Sequence, residues 1–340
     1  MRVLVTGASG FVGSWVAREL LGRGHAVRAL VRATSKLDNL AGLALERVEG
    51  DVLDRAAMER ALAGCDGLVH TAGLVSLLPA DAARAMAVNA GGTEVVLSAA
   101  QAAGVKRAVL TSSTAVMGGS SVPRVADENT PGNVAELGID YFISKLRAEQ
   151  VAMGFAERGL PVCAVRPGYA LGPGDVYRSG ATTVLSLARR SLTTYVRGGT
   201  SFCDVRDVAR GHAAALERGV PGEAYILGGH NIEMDEFMRA VARAAGVPPP
   251  RRVPYAVAWA AAAGAELAGL LGKRGRISRQ LIRASGLYSF VSSARAMAEL
   301  GYTIRPFAET LADTLRYFIA QGRLEPRTPE LAALAAAPAP

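Results

Sequence analysis

The feature that most constrains this chain is its start: an apolar strand, Arg2-Val3-Leu4-Val5, runs into Thr6-Gly7-Ala8-Ser9-Gly10-Phe11-Val12-Gly13 and then into a helix-like stretch. Each glycine of that turn has a physical use. Gly7 lets the backbone leave the strand sharply, Gly10 clears space for a phosphate, and Gly13 lets the helix pack close to the sheet. A helix N-terminus adds free N–H groups and a positive dipole end. The spacing is G-x-x-G-x-x-G, and its place at a strand-to-helix junction reads as a dinucleotide grip made by Gly7, Ser9, Gly10, Phe11, Val12 and Gly13.

The rest of the first half repeats the rhythm. Strands are expected at Val3–Thr6, His25–Arg32, Leu45–Gly50, Gly67–Thr71, Arg107–Ser112 and Pro161–Arg166. Helices are expected at Ser14–Arg23, Arg55–Ala63, Ala80–Ala103 and Asp140–Arg158, several closed by glycine. This is the pattern of an α/β fold, a doubly wound parallel Rossmann sheet with order 3-2-1-4-5-6 and ligands at the carboxyl ends of its strands. After Gly168 the rhythm breaks. The expected division is a dinucleotide-binding core at 1–168, a smaller substrate lobe at 169–330 whose strands return to the core, and a frayed, flexible tail at 331–340. Such a division suits 340 residues.

Composition excludes several classes. Cys65, Cys163 and Cys203 have neither disulfide nor metal-ligand spacing, so no metal is expected and a reducing, cytoplasmic setting fits. The first strand begins at residue 2, which argues against a signal peptide. The net charge of +8 comes from dispersed arginines with few aromatics to stack bases, so nucleic acid is not an expected partner.

The chemistry-bearing positions fall at strand ends. Arg32 stands about 20 residues beyond Gly13, where an acidic residue would bind the ribose of NAD. A cation there, followed by Thr34, Ser35 and Lys36, favours NADP over NAD. Asp51 and Val52 follow strand three and can meet the adenine, although Asp51 competes with Asp54 as a helix cap. His70 is read as shaping the turn after strand four. Strand five ends in Thr111-Ser112-Ser113-Thr114, whose hydroxyls can reach the space above a nicotinamide. Tyr141 and Lys145 are spaced to share one helix face. A tyrosine with a pKa of about 10 is a poor acid near neutrality, and a nearby ammonium would lower it. Ser113 can hydrogen-bond a substrate carbonyl.

These segments resemble the extended short-chain dehydrogenase/reductase superfamily, of the NAD-dependent epimerase/dehydratase type, over about residues 1–322. The resemblance rests on Thr6–Gly13, Asn89-Ala90-Gly91-Gly92-Thr93, Leu110–Ser113, Tyr141–Lys145, Arg166-Pro167-Gly168, Gly172-Pro173-Gly174-Asp175 and Asp204–Ala209. It implies a catalytic set of Ser113, Tyr141 and Lys145. It also implies cofactor contacts from Thr71, Ala72, Gly73, Lys145, Pro167 and Gly168, with Thr114 and Tyr169 facing substrate. Hydride would pass from the pro-S face. Val27–Arg32 and Tyr141–Glu149 look like the dihydroflavonol-4-reductase-like branch. Arg47–Asp51 and Ala224–Gly229 look like the bacterial members labelled hopanoid-associated sugar epimerases.

Two departures bear on the substrate. Nucleotide-sugar epimerases carry arginines where this chain has Thr200-Ser201 and Ser285–Phe290. A desolvated diphosphate needs paired charge, so their loss argues against a nucleotide sugar, unless Arg178, Arg189 or Arg197 substitutes. The expected activity is therefore NAD(P)-dependent reduction of a ketone, or oxidation of a secondary alcohol, on a small apolar substrate. The alternatives are a sugar-type epimerase or dehydratase with tightly bound NAD, and a non-catalytic dinucleotide sensor. Many relatives dimerise through helices matching Ala80–Ala103 and Asp140–Arg158, and others are monomers; both states stay open. Finally, Arg251–Arg283 holds seven basic residues (Arg251, Arg252, Lys273, Arg274, Arg276, Arg279, Arg283) against Glu266 alone, around the aliphatic run Tyr255–Gly272. That run reads as a helical cap on the body or as a peripheral membrane contact.

Overall fold

The computed structural model describes residues 1–175, 181–270 and 277–337. The sequence-predicted positions Arg178, Lys273, Arg274 and Arg276 lie outside these residues, as do the last three residues of the chain.

Seven parallel strands form the main sheet: β1 (Arg2–Thr6), β2 (Ala26–Val31), β3 (Glu46–Glu49), β4 (Gly67–His70), β5 (Arg107–Thr111), β6 (Val162–Pro167) and β7 (Ala224–Leu227). Their order is β3-β2-β1-β4-β5-β6-β7. The expected order is present, with β7 added beyond it.

Alternation along the strands explains the layers. Val3 and Val5 of β1 face one side, where Val16 and Leu20 of α1 (Phe11–Gly22) pack with Val208 and Leu216 of the Val205–Arg218 helix. Leu4, Leu68 and Leu110 face the other side. There they meet Met58 of α2 (Arg55–Leu62), Leu97 of the Gly92–Ala102 helix and Phe155 of the Asp140–Glu157 helix. A parallel sheet buried on both faces has to look like this.

The long helix expected at Ala80–Ala103 is interrupted. A π-helical stretch at Ala87–Gly91 separates Ala82–Met86 from Gly92–Ala102. One extra residue in that turn re-aims Asn89, which is buried.

The lobe carries a second sheet in which Gly199–Asp204 lies between His230–Glu233 and Tyr288–Val291 and also pairs with Tyr169–Leu171. Its outer strand, Val125–Ala126, comes from the first half of the chain, so the two layers share sequence. The tail is a correction. Pro329–Ala336 is a helix capped by Thr328, and Leu331 is buried with Phe237, Val241 and Phe318. Leu331 is buried and Leu334 partly so, while Ala332, Ala333, Ala335 and Ala336 are exposed.

Candidate active site

The glycine turn is built by contact. Gly7 sits at φ +69°, and a Cβ there would lie 2.7 Å from the Ala72 nitrogen. A Cβ at Gly13 would lie 2.2 Å from the Gly7 carbonyl oxygen. The glycines thus bring the start of α1 against the end of β4. Gly10 is the N-cap of α1 and offers no side-chain acceptor to the first-turn N–H groups. Such a helix end suits a pyrophosphate. Around the turn, Ser9 and Phe11 are buried and Val12 packs on the core.

Beneath the turn runs a chain of hydroxyls and one imidazole. Thr93 Oγ1 donates to the Asn89 carbonyl, at 2.6 Å. It therefore accepts from His70 Nε2 at 3.2 Å, and His70 Nδ1 in turn accepts from Thr6 Oγ1 at 2.7 Å. Burial lowers the His70 pKa to about 3, so the ring is a neutral spacer. Thr71 Oγ1 donates to the Thr6 carbonyl at 2.7 Å. The expectation that His70 shapes this turn fits these bonds.

At the far end of β2, Arg32 is exposed and its N–H donates to Ser35 Oγ, at 3.0 Å. Asp54 caps α2, while Asp51 accepts from the Leu53 N–H at 3.0 Å. Val52 is buried beside Gly92. Capping by Asp54 leaves Asp51 at the strand end.

Lys145 lies between the tips of β4 and β5. Its Nζ donates to the Thr111 carbonyl at 2.6 Å and stands 4.0 Å from where a Gly73 Cβ would be. Burial lowers its pKa to about 8, against a smaller opposing pull from Glu149, which is itself paired with Arg166 at 2.6 Å. Tyr141 is half-buried among Ala115, Val134, Leu137 and Leu287. Burial raises its pKa, and a hydrogen bond with Ser113 opposes that rise. The cause of Tyr141's shift therefore differs from the expected one: its hydroxyl answers to Ser113 and to desolvation, while the Lys145 ammonium is held on the backbone of β5.

The four residues from the last of β5 onward, Thr111 to Thr114, separate in role. Thr111 Oγ1 donates to His212 Nε2 at 2.8 Å, because His212 Nδ1 donates to the Val208 carbonyl at 2.8 Å. Ser112 Oγ is buried and has no partner among the described residues. Ser113 turns toward Tyr141 and also accepts from the Ala115 N–H at 3.1 Å. Thr114 is buried in the following 3-10 turn.

On the lobe side, Pro167 ends β6 and Gly168 is forced by proximity, since a Cβ would lie 2.5 Å from the Ser201 carbonyl. Tyr169 packs edge-on against Phe202 and shares a hydrogen bond with Thr183 at 3.1 Å. It therefore belongs to the lobe's own apolar cluster, and Tyr141 to a different one.

Sequence reasoning did not single out three positioning residues. Asn89 ties Leu74 to Ser144. Trp15 Nε1 donates to the Pro173 carbonyl at 2.7 Å, and Asn39 Nδ2 to the Gly174 carbonyl at 2.8 Å, pinning the 172–175 loop over α1. The signal for Asn89 lay in the Asn89–Thr93 segment. Trp15 and Asn39 offered none, because their partners are more than a hundred residues away.

A family model for the NAD dependent epimerase/dehydratase family matches residues 3–228. The chain is 34% identical over 324 residues to a putative dihydroflavonol 4-reductase of Synechocystis sp., covering 92% of this chain and 93% of that one. It is 32% identical over 338 residues to a 3 beta-hydroxysteroid dehydrogenase/Delta 5-->4-isomerase of Mycobacterium tuberculosis, covering 94% and 90%. Among solved structures, that of gox2253 superposes with a TM-score of 0.85 at 39% identity, covering 95% of this chain and 99% of that one. The dTDP-glucose 4,6-dehydratase DesIV of Streptomyces venezuelae, with NAD and TYD bound, superposes with a TM-score of 0.79 at 26% identity, covering 96% and 99%. The glycine turn, the strand-end hydroxyls and the Tyr141–Lys145 helix thus stand in a known frame: the chain belongs to the NAD-dependent epimerase/dehydratase family of oxidoreductases.

Proposed function

We propose that this protein is an NAD(P)-dependent reductase or dehydrogenase of a ketone/secondary-alcohol pair on an apolar substrate, with NADP preferred. The observation that carries the reading is the placing of Ser113 close enough to Tyr141 to counter the rise in its pKa, beside the apolar cluster of Ala115, Val134 and Phe142, with Lys145 one helical turn away and its ammonium on the Thr111 carbonyl. Tyr141, kept protonated by burial, gives its proton to the carbonyl oxygen in reduction. Ser113 donates to the same oxygen and fixes its position. Lys145 holds the nicotinamide ribose and returns positive charge to the site. The Gly7–Gly13 turn would hold the pyrophosphate, Arg32 a 2′-phosphate, and Pro167 with Gly168 the nicotinamide end of a bound dinucleotide. The bound dinucleotide supplies or accepts the hydride. Leu77, Leu137, Ile143 and Leu287 pack, as Tyr141 does, against the cluster of Ala115, Val134, Ile139 and Phe142, and this apolar setting favours a hydrophobic substrate body. The names of the reductase and steroid dehydrogenase relatives support the same reading.

One feature favours a second reading, an epimerase or dehydratase that keeps NAD bound. A cavity of 690 Å³ is lined by Arg197, Arg252 and Arg283 with Tyr255, Leu287 and Tyr288, and by no carboxylate among the described residues. Arg197 donates to the Tyr288 hydroxyl at 2.8 Å. Such a lining suits an anionic group of the kind a sugar nucleotide carries. Mass spectrometry of the protein as purified, followed by NADPH oxidation on a ketone panel, separates the two. Protein without retained dinucleotide, oxidising NADPH in step with ketone consumed, supports the reductase. Retained NAD with no net turnover overturns it.

A further inference from the structure

The Tyr255–Leu270 helix stands apart from the body. It packs on the Arg279–Ser285 helix through Trp259, whose ring lies 5.9 Å from the Arg279 guanidinium and 5.3 Å from that of Arg283. Ala262, in line with Trp259, is buried, and Glu266, one turn further, pairs with Arg279 at 2.6 Å. The opposite side of the same helix is apolar and open. Val257, Ala260, Ala261, Gly264 and Leu267 fall on one face at helical spacing, and all are exposed. Val257 is 57% and Leu267 65% exposed, where a cap packed on the body would have hidden both. Ile277, next to the partner helix, is 46% exposed. The expected helical cap is therefore only half of the outcome: one face is spent on the body and the other is not.

Cations gather at the start of this helix and on the side opposite its open face. Arg251 and Arg252 lead into the helix, Arg279 and Arg283 lie along its inner edge, and Arg197 opens into the cavity at its base. The carboxylates paired with these arginines among the described residues are Asp235, with Arg252, and Glu266, with Arg279. Tyr255, at the helix start, combines an aromatic ring with a polar tip, as suits a headgroup layer. We propose that this face docks the protein on the surface of an anionic lipid bilayer. The helix lies in the interface with Val257 and Leu267 among the acyl chains, and the arginines sit at phosphate level. A second copy of the chain fits the surface less well, because symmetric pairing of the apolar faces would bring two sets of arginines together. No helix among the described residues is long and apolar enough to cross a membrane, so the contact is peripheral.

The proposal is independent of the redox reading, and its test needs no substrate. The full chain is floated with phosphatidylcholine vesicles, with and without phosphatidylglycerol, at low and high salt. Binding to the anionic vesicles alone, weakened by salt, is expected. The double variant Val257→Asp, Leu267→Asp should lower binding about tenfold or more while melting temperature and NADPH binding stay unchanged. Arg251→Glu changes the surface charge by two and should weaken binding by about tenfold or more. If the double variant fails to fold, Ala261→Asp probes the same face. Absence of flotation at low salt overturns the proposal, as does equal binding to neutral vesicles. So does a dimer in light scattering that the double variant dissociates, since a second copy would then be the occupant.

Discussion

Asn89 grips Leu74 by both backbone groups: its Oδ1 accepts from the Leu74 N–H at 2.8 Å and its Nδ2 donates to the Leu74 carbonyl at 3.0 Å. The same Nδ2 donates to Ser144 Oγ at 2.9 Å, and Ser144 donates to the Tyr141 carbonyl at 2.8 Å. One buried amide thus holds the loop after β4 against the helix carrying Tyr141 and Lys145. Removing it leaves buried groups unpaired, at roughly 1–3 kcal/mol each. Asn89→Ala should lower kcat about tenfold to a hundredfold, raise the cofactor KM and lower the melting temperature. Steady-state kinetics beside a thermal melt checks this. A variant that melts early yet turns over normally would leave Asn89 a purely structural residue.

Tyr141→Phe removes the phenolic proton and keeps the ring in its apolar pocket. Cofactor binding should persist while turnover falls by about 10²–10⁴-fold, the usual scale for general acid catalysis. Fluorescence titration with NADPH reads binding separately from turnover. More than about half the activity remaining would remove Tyr141 from the role of acid.

The core of the fold was legible because its signals are local. Strand alternation, glycine punctuation and the strand-end hydroxyls each sit within a few residues, and a doubly wound sheet follows from their order. What escaped depends on distance or on tertiary override. The π-helical turn that aims Asn89 has no periodic signature, since Ala82–Ala102 reads as one helix. Burial of Leu331 depends on Phe318 of the preceding helix and on Phe237, far away in sequence. The link between Tyr141 and Lys145 is legible only as a shared helix face. Spacing puts both on one helix face, but spacing does not say that Lys145 Nζ is taken by the Thr111 carbonyl.

Lys145 gives a pH dependence. Burial depresses its pKa from 10.5 to about 8, so its charge is present below that value and disappears as pH rises through it. Reduction, measured as kcat/KM, should therefore decline above about pH 8, and Lys145→Arg should carry the decline well past it. Stability runs the other way. Between these two values the unfolded chain holds a proton that the folded chain has released, so folding gains as pH rises across the window. A rate flat to pH 10 would detach Lys145 from the chemistry.

Arg206 bridges Asp204 and Asp313, each at 2.7 Å, with both carboxylates buried. Burial pushes the Asp204 pKa up, and the bonds from Arg206 outweigh it, leaving a net lowering. Arg206→Ala takes the shared cation from both acids but leaves Asp313 with Arg316 and Asp204 with Thr310 and Arg305, so it should cost about 1–3 kcal/mol at neutral pH. Asp204 contributes stability above its unfolded pKa and loses it as pH falls. Without Arg206 its protonation becomes favourable to folding, so the gap between the two proteins should narrow toward pH 4. Urea melts at pH 7 and pH 4 measure this, and a gap that widens in acid would contradict it.

The proposed role of Arg32 in cofactor choice rests on its place at the end of β2. The residue follows β2, is exposed, and contributes only its backbone to the turn with Ser35. Its guanidinium is therefore available to a doubly charged phosphate at the end of β2, where planar, paired donors are strongest. An acid at the same place would repel that phosphate and accept from a ribose hydroxyl instead. NADPH should bind more tightly than NADH to the unmodified protein. Arg32→Asp should cut NADPH affinity by about tenfold or more, from loss of a charge-assisted pair and gain of a like charge, while NADH affinity holds or improves. Because the charge pair is exposed, the NADPH preference should also shrink with added salt. Calorimetric titration of both cofactors into both proteins at two ionic strengths tests all three effects. Equal dissociation constants for the two cofactors in the unmodified protein would overturn the assignment, and a preference that survives Arg32→Asp would move it to Lys36 or to another residue near the same strand end.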